Sequence, residues 1–217
     1  MTAQAKAVTA GLTRAVLAAT ALWMTVAFAG RAAEPAVDPA PGQLLIASAG
    51  MQDPRFHHSV ILLLRHDQSG AFGVVINHPL VEQPLSKLLA EAGGKGSGDT
   101  ADKSIEGTIQ VFLGGPVQPQ YGFIIHSTDY SRPETLHLDD EALAMTANKD
   151  ILRDIGHHHG PKKYLFALGY AGWGAGQLEG EIARHDWFTA PADPELVFDA
   201  DRSQVWERAL ARRTREL

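Results

Sequence analysis

Gly169-Tyr170-Ala171-Gly172-Trp173-Gly174-Ala175-Gly176-Gln177-Leu178-Glu179-Gly180-Glu181-Ile182 joins an apolar run, Tyr164 to Leu168, to an amphipathic one in which Leu178 and Ile182 stand four apart. That order predicts a strand, a tight glycine turn and a helix. Glycine lacks Cβ, so the turn admits positive φ and close approach, while the helix start offers unpaired N–H groups. Two uses fit. The turn is a cradle for an anion or small ligand, with N–H groups from Gly174, Gly176 and Gln177 and a wall from Trp173, or it is a corner at which two segments pass closely at Gly172 and Gly174.

The rest of the chain supplies short elements around this centre. Leu44 to Ala47 is an expected first strand. Ser59-Val60-Ile61-Leu62-Leu63-Leu64 is continuously apolar, which predicts a central strand covered on both faces. Asp67-Gln68-Ser69-Gly70 turns it into an antiparallel hairpin with Ala71 to Asn77. Pro84 opens a helix carrying Leu85, Leu88 and Leu89 on one face. Residues 93–108 are a glycine-rich loop. Ile109 to Leu113 is a strand running into the second glycine turn, Gly114-Gly115-Pro116-Val117, with Gly122 to His126 as its expected hairpin partner. A helix is expected from about Asp140 to Ile155, opening on Asp139-Asp140-Glu141. Asp186 to Ala190 predicts a strand, Asp193-Pro194-Glu195 a capped helical turn, and Ser203 to Arg213 a closing helix with Val205, Trp206, Ala209 and Leu210 inward.

At 217 residues, with 45% hydrophobic and 20% charged, the chain suits one globular domain over 43–217 plus an extension. The absence of cysteine removes disulfides, thiol nucleophiles and thiolate zinc sites. A net charge of −6 argues against nucleic acid as a partner. Residues 1–29 have the features of a secretion signal: Lys6 and Arg14, an apolar run from Ala15 to Gly30, and Ala27-Phe28-Ala29 as a small-x-small site. Export to the periplasm or beyond is therefore expected, with 30–42 as a proline-rich flexible linker and no membrane span in the mature protein.

No catalytic constellation stands out. The phosphate-loop pattern is missing because no Lys-Ser/Thr pair follows Gly176, and Gly172-x-Gly174-x-Gly176 places its third glycine one position early for a dinucleotide fingerprint. His126, Ser127 and Asp129 contain the right groups for a hydrolase, but neighbours on a strand point to opposite faces, and there is no Gly-x-Ser-x-Gly elbow. The ten histidines include His157-His158-His159 in a loop, which is a poor metal set. Neither a metal nor a cofactor is expected. The candidate ligand set is Gly114, Gly115, Trp173, Gly174, Gly176 and Gln177, with Asn77 or His126 adding polar contacts if the two glycine turns meet. Glu179 and Glu181 stand two apart on the helix and do not share a face, so they make no acid–base pair.

Together Gly42 to Ala47, Asp53-Pro54-Arg55-Phe56 with Ser59-Val60, Gly73 to Asn77, Leu113 to Val117, Gly169 to Glu179, Pro191-Ala192-Asp193 and Trp206 to Leu210 resemble the YqgE/AlgH family of bacterial proteins. The resemblance implies an α+β fold with a mixed, partly barrel-like sheet surrounded by helices. It implies no defined enzyme activity. The expected function is non-catalytic binding of a partner protein or small ligand. An enzyme or ligand-activated protein built on the two glycine turns is the alternative. A transcriptional regulator follows only from the family's name. The family is expected mainly in the cytoplasm, from which the apparent export signal departs.

Overall fold

The computed structural model describes residues 39–92, 105–138, 142–198 and 201–214. The expected signal segment, most of the linker, most of the 93–108 loop and Asp139-Asp140-Glu141 lie outside the described residues. Among the described residues ten strands make one sheet in the order β10-β1-β2-β3-β9-β6-β8-β7, with β4 and β5 joined to it through β5 and β9. The sheet is mostly antiparallel and curls into a half-barrel. The helices are few and none described exceeds eight residues, so they cover parts of the sheet without surrounding it.

β1 (Gln43–Ala47), β2 (Val60–Asp67) and β3 (Gly70–Val75) form an antiparallel meander. Their side chains divide by strand alternation. Leu44, Ile46, Val60, Leu62, Leu64 and Val74 enter one core, while Leu45, Ala47, Ile61, Leu63, Ala71 and Val75 enter another on the opposite face. The continuous apolar run of β2 reflects this two-sided burial. β4 (Pro79–Pro84) leads into α1 (Leu85–Ala92), whose Leu85, Leu88 and Leu89 pack into a third core with α2 (Asp150–Gly156).

Three expectations are corrected. β5 (Thr108–Leu113) does not pair with β6 (Val117–Ser127): it pairs antiparallel with β4 and parallel with β9 (Tyr164–Gly174). β6 pairs instead with β9 and with β8 (Leu143–Thr146). The 140–155 segment is also not one helix. Leu143-Ala144-Met145-Thr146 is a fully buried strand that also pairs with the short β7 (Leu136–His137), and helix begins only at Asp150. Finally, the last residues of the expected linker are packed: Pro39 is buried and its carbonyl accepts from His66 Nδ1 at 2.8 Å.

The glycine segment itself is strand almost throughout. β9 runs through Gly169, Gly172 and Gly174, pairing first with β5 and β6 and then with β3, and only Ala175-Gly176 turns into α3 (Gln177–Ala183). A close crossing of two segments exists, but it lies earlier than Gly172 and Gly174. Gly115, at φ 154°, packs on the Tyr170–Ala171 backbone, and Gly169, at φ 73°, faces the Gly115 and Val117 carbonyls. A Cβ on Gly172 or Gly174 would approach only side-chain atoms, at 3.2 and 3.9 Å respectively. β10 (Trp187–Pro191) then pairs with β1. The capped turn α4 (Pro194–Val197) and the closing α5 (Val205–Ala211) cover the first core with Leu196, Val197, Val205 and Ala209.

Candidate functional site

The crossing of the 114–117 segment over β9 places both glycine-rich segments at one cleft of about 430 Å³. Pro116 and Val117 form one side; Gly172 and Trp173 of β9 form the next; Gln177, Glu181 and Arg184 descend from the α3 segment. Trp187 and Asp186 come from the start of β10, and Met51, Gln52, Asp53, Arg55 and Phe56 close the ring. The volume lies within the range of small-molecule sites.

Local chemistry fixes each wall. Asp53 accepts the backbone N–H of Arg55 at 3.0 Å and precedes Pro54, so the chain makes a short 3-10 turn that drives Phe56 into the second core. The Arg55 guanidinium bonded to Asp53 also holds that carboxyl below the usual carboxylate range. Phe56 meets Trp187 edge-on at 5.6 Å between centroids, and Trp187 meets Trp173 the same way at 5.8 Å. Both indoles are almost wholly buried, Trp173 at 7% exposure and Trp187 at 2%. Their N–H groups therefore need acceptors.

Both indoles find the same acceptor. Glu181 Oε2 accepts from Trp173 Nε1 and from Trp187 Nε1, each at 2.8 Å. Its other oxygen accepts from Gln177 Nε2 at 2.8 Å, and Gln177 Oε1 in turn accepts the Gly174 N–H at 3.1 Å. Gln177 and Glu181 are four apart on α3 and so share a face. Helix, strand end and β10 are thus joined at one carboxylate. At the rim, Arg55 pairs with Asp53 at 2.5 Å and Arg184 with Asp186 at 2.9 Å. Among the described residues Glu181 has neutral donors only.

Of the sequence candidates, Trp173 and Gln177 line the cleft. Gly114 and Gly115 lie behind it and shape it through the crossing, while Gly174 and Gly176 end the strand and start α3 without lining it. The Gly174 N–H is occupied by Gln177, so it does not point at a ligand. Asn77 and His126 are elsewhere. Asn77 is buried and pins β2 to the end of β3, its Oδ1 accepting from Val60 N and its Nδ2 donating to the His58 carbonyl, both at 2.8 Å. His126 is fully buried, with Nδ1 facing the Ser127 carbonyl at 2.9 Å and Nε2 facing Thr146 Oγ1 at 3.0 Å. A carbonyl only accepts, so Nδ1 carries the proton and Nε2 accepts from the threonine. Burial pushes its pKa down, which favours this neutral form. Ser127 Oγ donates to Asp129 at 2.5 Å and not to His126, so the three residues form no triad. Among the described residues no group of three metal-ligating side chains converges.

The sequence reading missed Phe56, Trp187 and Glu181. Glu181 does not pair with Glu179, whose own partner is His66 Nε2 at 2.9 Å on another side of α3. A signal was available in Gln177 and Glu181, whose i,i+4 spacing places two polar groups beside Trp173.

A family model described as AlgH-like (DUF179) matches residues 44–217. The chain belongs to the AlgH-like family. A UPF0301 protein of Jannaschia sp. (strain CCS1) is 46% identical over 170 residues, covering 78% of this chain and 85% of that protein. One from Ruegeria pomeroyi is 44% identical, covering 78% and 89%. The solution structure of the AlgH protein from Pseudomonas aeruginosa is similar with a TM-score of 0.66 at 38% identity, over 79% of this chain and 87% of that one. A crystal structure from Corynebacterium diphtheriae has a TM-score of 0.62 at 24% identity over 81% and 88%, a likeness of fold alone. None of these names states an activity. No helix among the described residues of this AlgH-like chain is long and apolar enough to cross a membrane.

Proposed function

We propose that this AlgH-like chain is a binding protein without catalytic chemistry of its own, and that its ligand or partner enters the cleft between the 51–56 turn and α3. The observation that carries this reading is how the cleft's polar groups are held: Gln177, Glu181 and both indoles bond one another, which orients surfaces and, among the described residues, brings no nucleophile against a base. An anion cradle at the Gly172-Trp173-Gly174-Ala175-Gly176 run is less well supported, because the Gly174 N–H is occupied and a carboxylate lines the space. A DNA-contacting role gains no support from an aromatic cleft on an acidic chain.

The reading is tested by titrating the protein with nucleotides, inorganic phosphate, sugars and amines while following tryptophan emission, with Trp173→Phe as control. At least one probe is expected to give a saturable change that the control reduces. A flat response across the panel removes the small-ligand reading. The proposal includes export, motivated by the basic-apolar-small order of residues 1–29. A mature chain beginning near Gly30 in the periplasmic fraction is expected, and a full-length chain confined to the cytosol contradicts it.

A further inference from the structure

Resting on that binding reading, we infer that the cleft takes a cationic nitrogen donor, an ammonium or guanidinium group, and that Glu181 is the residue that holds it. A carboxylate has about four lone-pair positions. Glu181 Oε2 spends its two on the Trp173 and Trp187 indoles, while Oε1 accepts from Gln177 alone. One position on Oε1 remains, on a side chain that lines the cleft.

Charge bookkeeping around the cleft points the same way. The rim acids Asp53 and Asp186 each have an arginine partner, Arg55 and Arg184. Among the described residues Glu181 has only the three neutral N–H donors. A bound cation supplies the missing counter-ion and makes a charge-assisted hydrogen bond, stronger than a neutral one. The walls suit the same ligand: the half-buried Phe56 presents aromatic surface for an alkyl stem beside the edges of the nearly buried Trp173 and Trp187, and the chain's own Arg55 guanidinium already sits 5.8 Å from the Phe56 ring centroid. The −6 charge of the chain favours approach of a cation over an anion. Either a free amine or an arginine or lysine side chain of a partner carries the required group.

The test is calorimetric titration of the full chain with four probes: agmatine, butylammonium, 1-butanol and butyrate. Both cations are expected to bind at least ten-fold more tightly than the neutral and anionic probes, and Glu181→Gln, which keeps an acceptor for the indoles, is expected to weaken the cations at least ten-fold. The comparison among probes on the unaltered protein stands even if that variant folds poorly. Equal or tighter binding of butyrate or butanol overturns the inference while leaving the binding reading intact. Cation binding unchanged in a folded Glu181→Gln protein overturns it too. If no probe of any charge binds, the inference falls, and the binding reading is decided by the wider panel of nucleotides, phosphate and sugars. A short arginine peptide, capped at both ends, is run beside agmatine to separate the sources: tighter binding of the peptide points to a partner side chain, tighter binding of agmatine to a free small molecule.

Discussion

Alanine at Gly115 is expected to lower stability by about 3 kcal/mol or more, a large share of the roughly 5–15 kcal/mol that holds a domain together. The residue sits at φ 154°, and a Cβ there would stand 2.1 Å from the Tyr170 carbonyl carbon, 2.3 Å from its oxygen and 2.4 Å from the Ala171 nitrogen. All three are backbone atoms of a strand hydrogen-bonded on both sides, so no rotamer change relieves the contact. The 114–117 segment would have to lift off β9. By contrast, Gly172→Ala meets only the Tyr170 ring and Gly174→Ala only the Gln177 side chain, so each is expected to change stability by less than about 1 kcal/mol. Chemical denaturation of the three variants checks the contrast, and a Gly115→Ala protein as stable as the parent would show that the crossing is not tightly packed.

The second large effect is expected at Glu181. Truncation to alanine removes the acceptor of two indole N–H groups that belong to nearly buried side chains, and each unpaired donor costs about 1–3 kcal/mol. Because the cleft admits water to part of this cluster, a total of about 2–4 kcal/mol is expected for Glu181→Ala. Glu181→Gln keeps one acceptor oxygen and is expected to cost about half as much or less. Equal denaturation midpoints for the parent and Glu181→Ala would mean that the indoles do not depend on this carboxylate.

The sheet was largely legible where the pattern is local. The apolar run at Ser59 to Leu64 predicted a strand covered on both faces, and β2 is that strand. The Asp193-Pro194-Glu195 pattern predicted a capped helical turn, and Asp193 does accept the Glu195 N–H at 2.8 Å. Long-range pairing was not legible. The β5–β6 hairpin was expected because sequential strands usually pair, yet β5 lies parallel to β9, more than fifty residues later, and β9 separates it from β6. Leu143-Ala144-Met145 are good helix formers individually, and tertiary burial between β6 and β7 overrides that preference.

The glycine-rich segment misled by its composition. Glycine disfavours strand, so a run of it reads as a turn, but pairing on both edges keeps β9 extended and Gly169 absorbs the irregularity opposite the Val117–Gly122 bulge. The site was half legible. Trp173 and Gln177 were visible beside the glycines, whereas Phe56 and Trp187 join them only through the folded sheet, from positions no periodicity connects. Asn77 and His126 were polar residues in apolar runs, a pattern that fits a satisfied buried group as well as a ligand contact, and here the former holds.

The most direct measurement is nitrogen–proton correlation NMR of the tryptophan indoles during an agmatine titration. Trp173 and Trp187 share Glu181, while Trp206, which does not line the cleft, donates to the Ala47 carbonyl and serves as an internal reference. Concerted, saturable shifts of the Trp173 and Trp187 indole signals with Trp206 unmoved are the predicted result. Movement of Trp206 alone, or no change in any indole at saturating agmatine, would contradict a cation site built on Glu181.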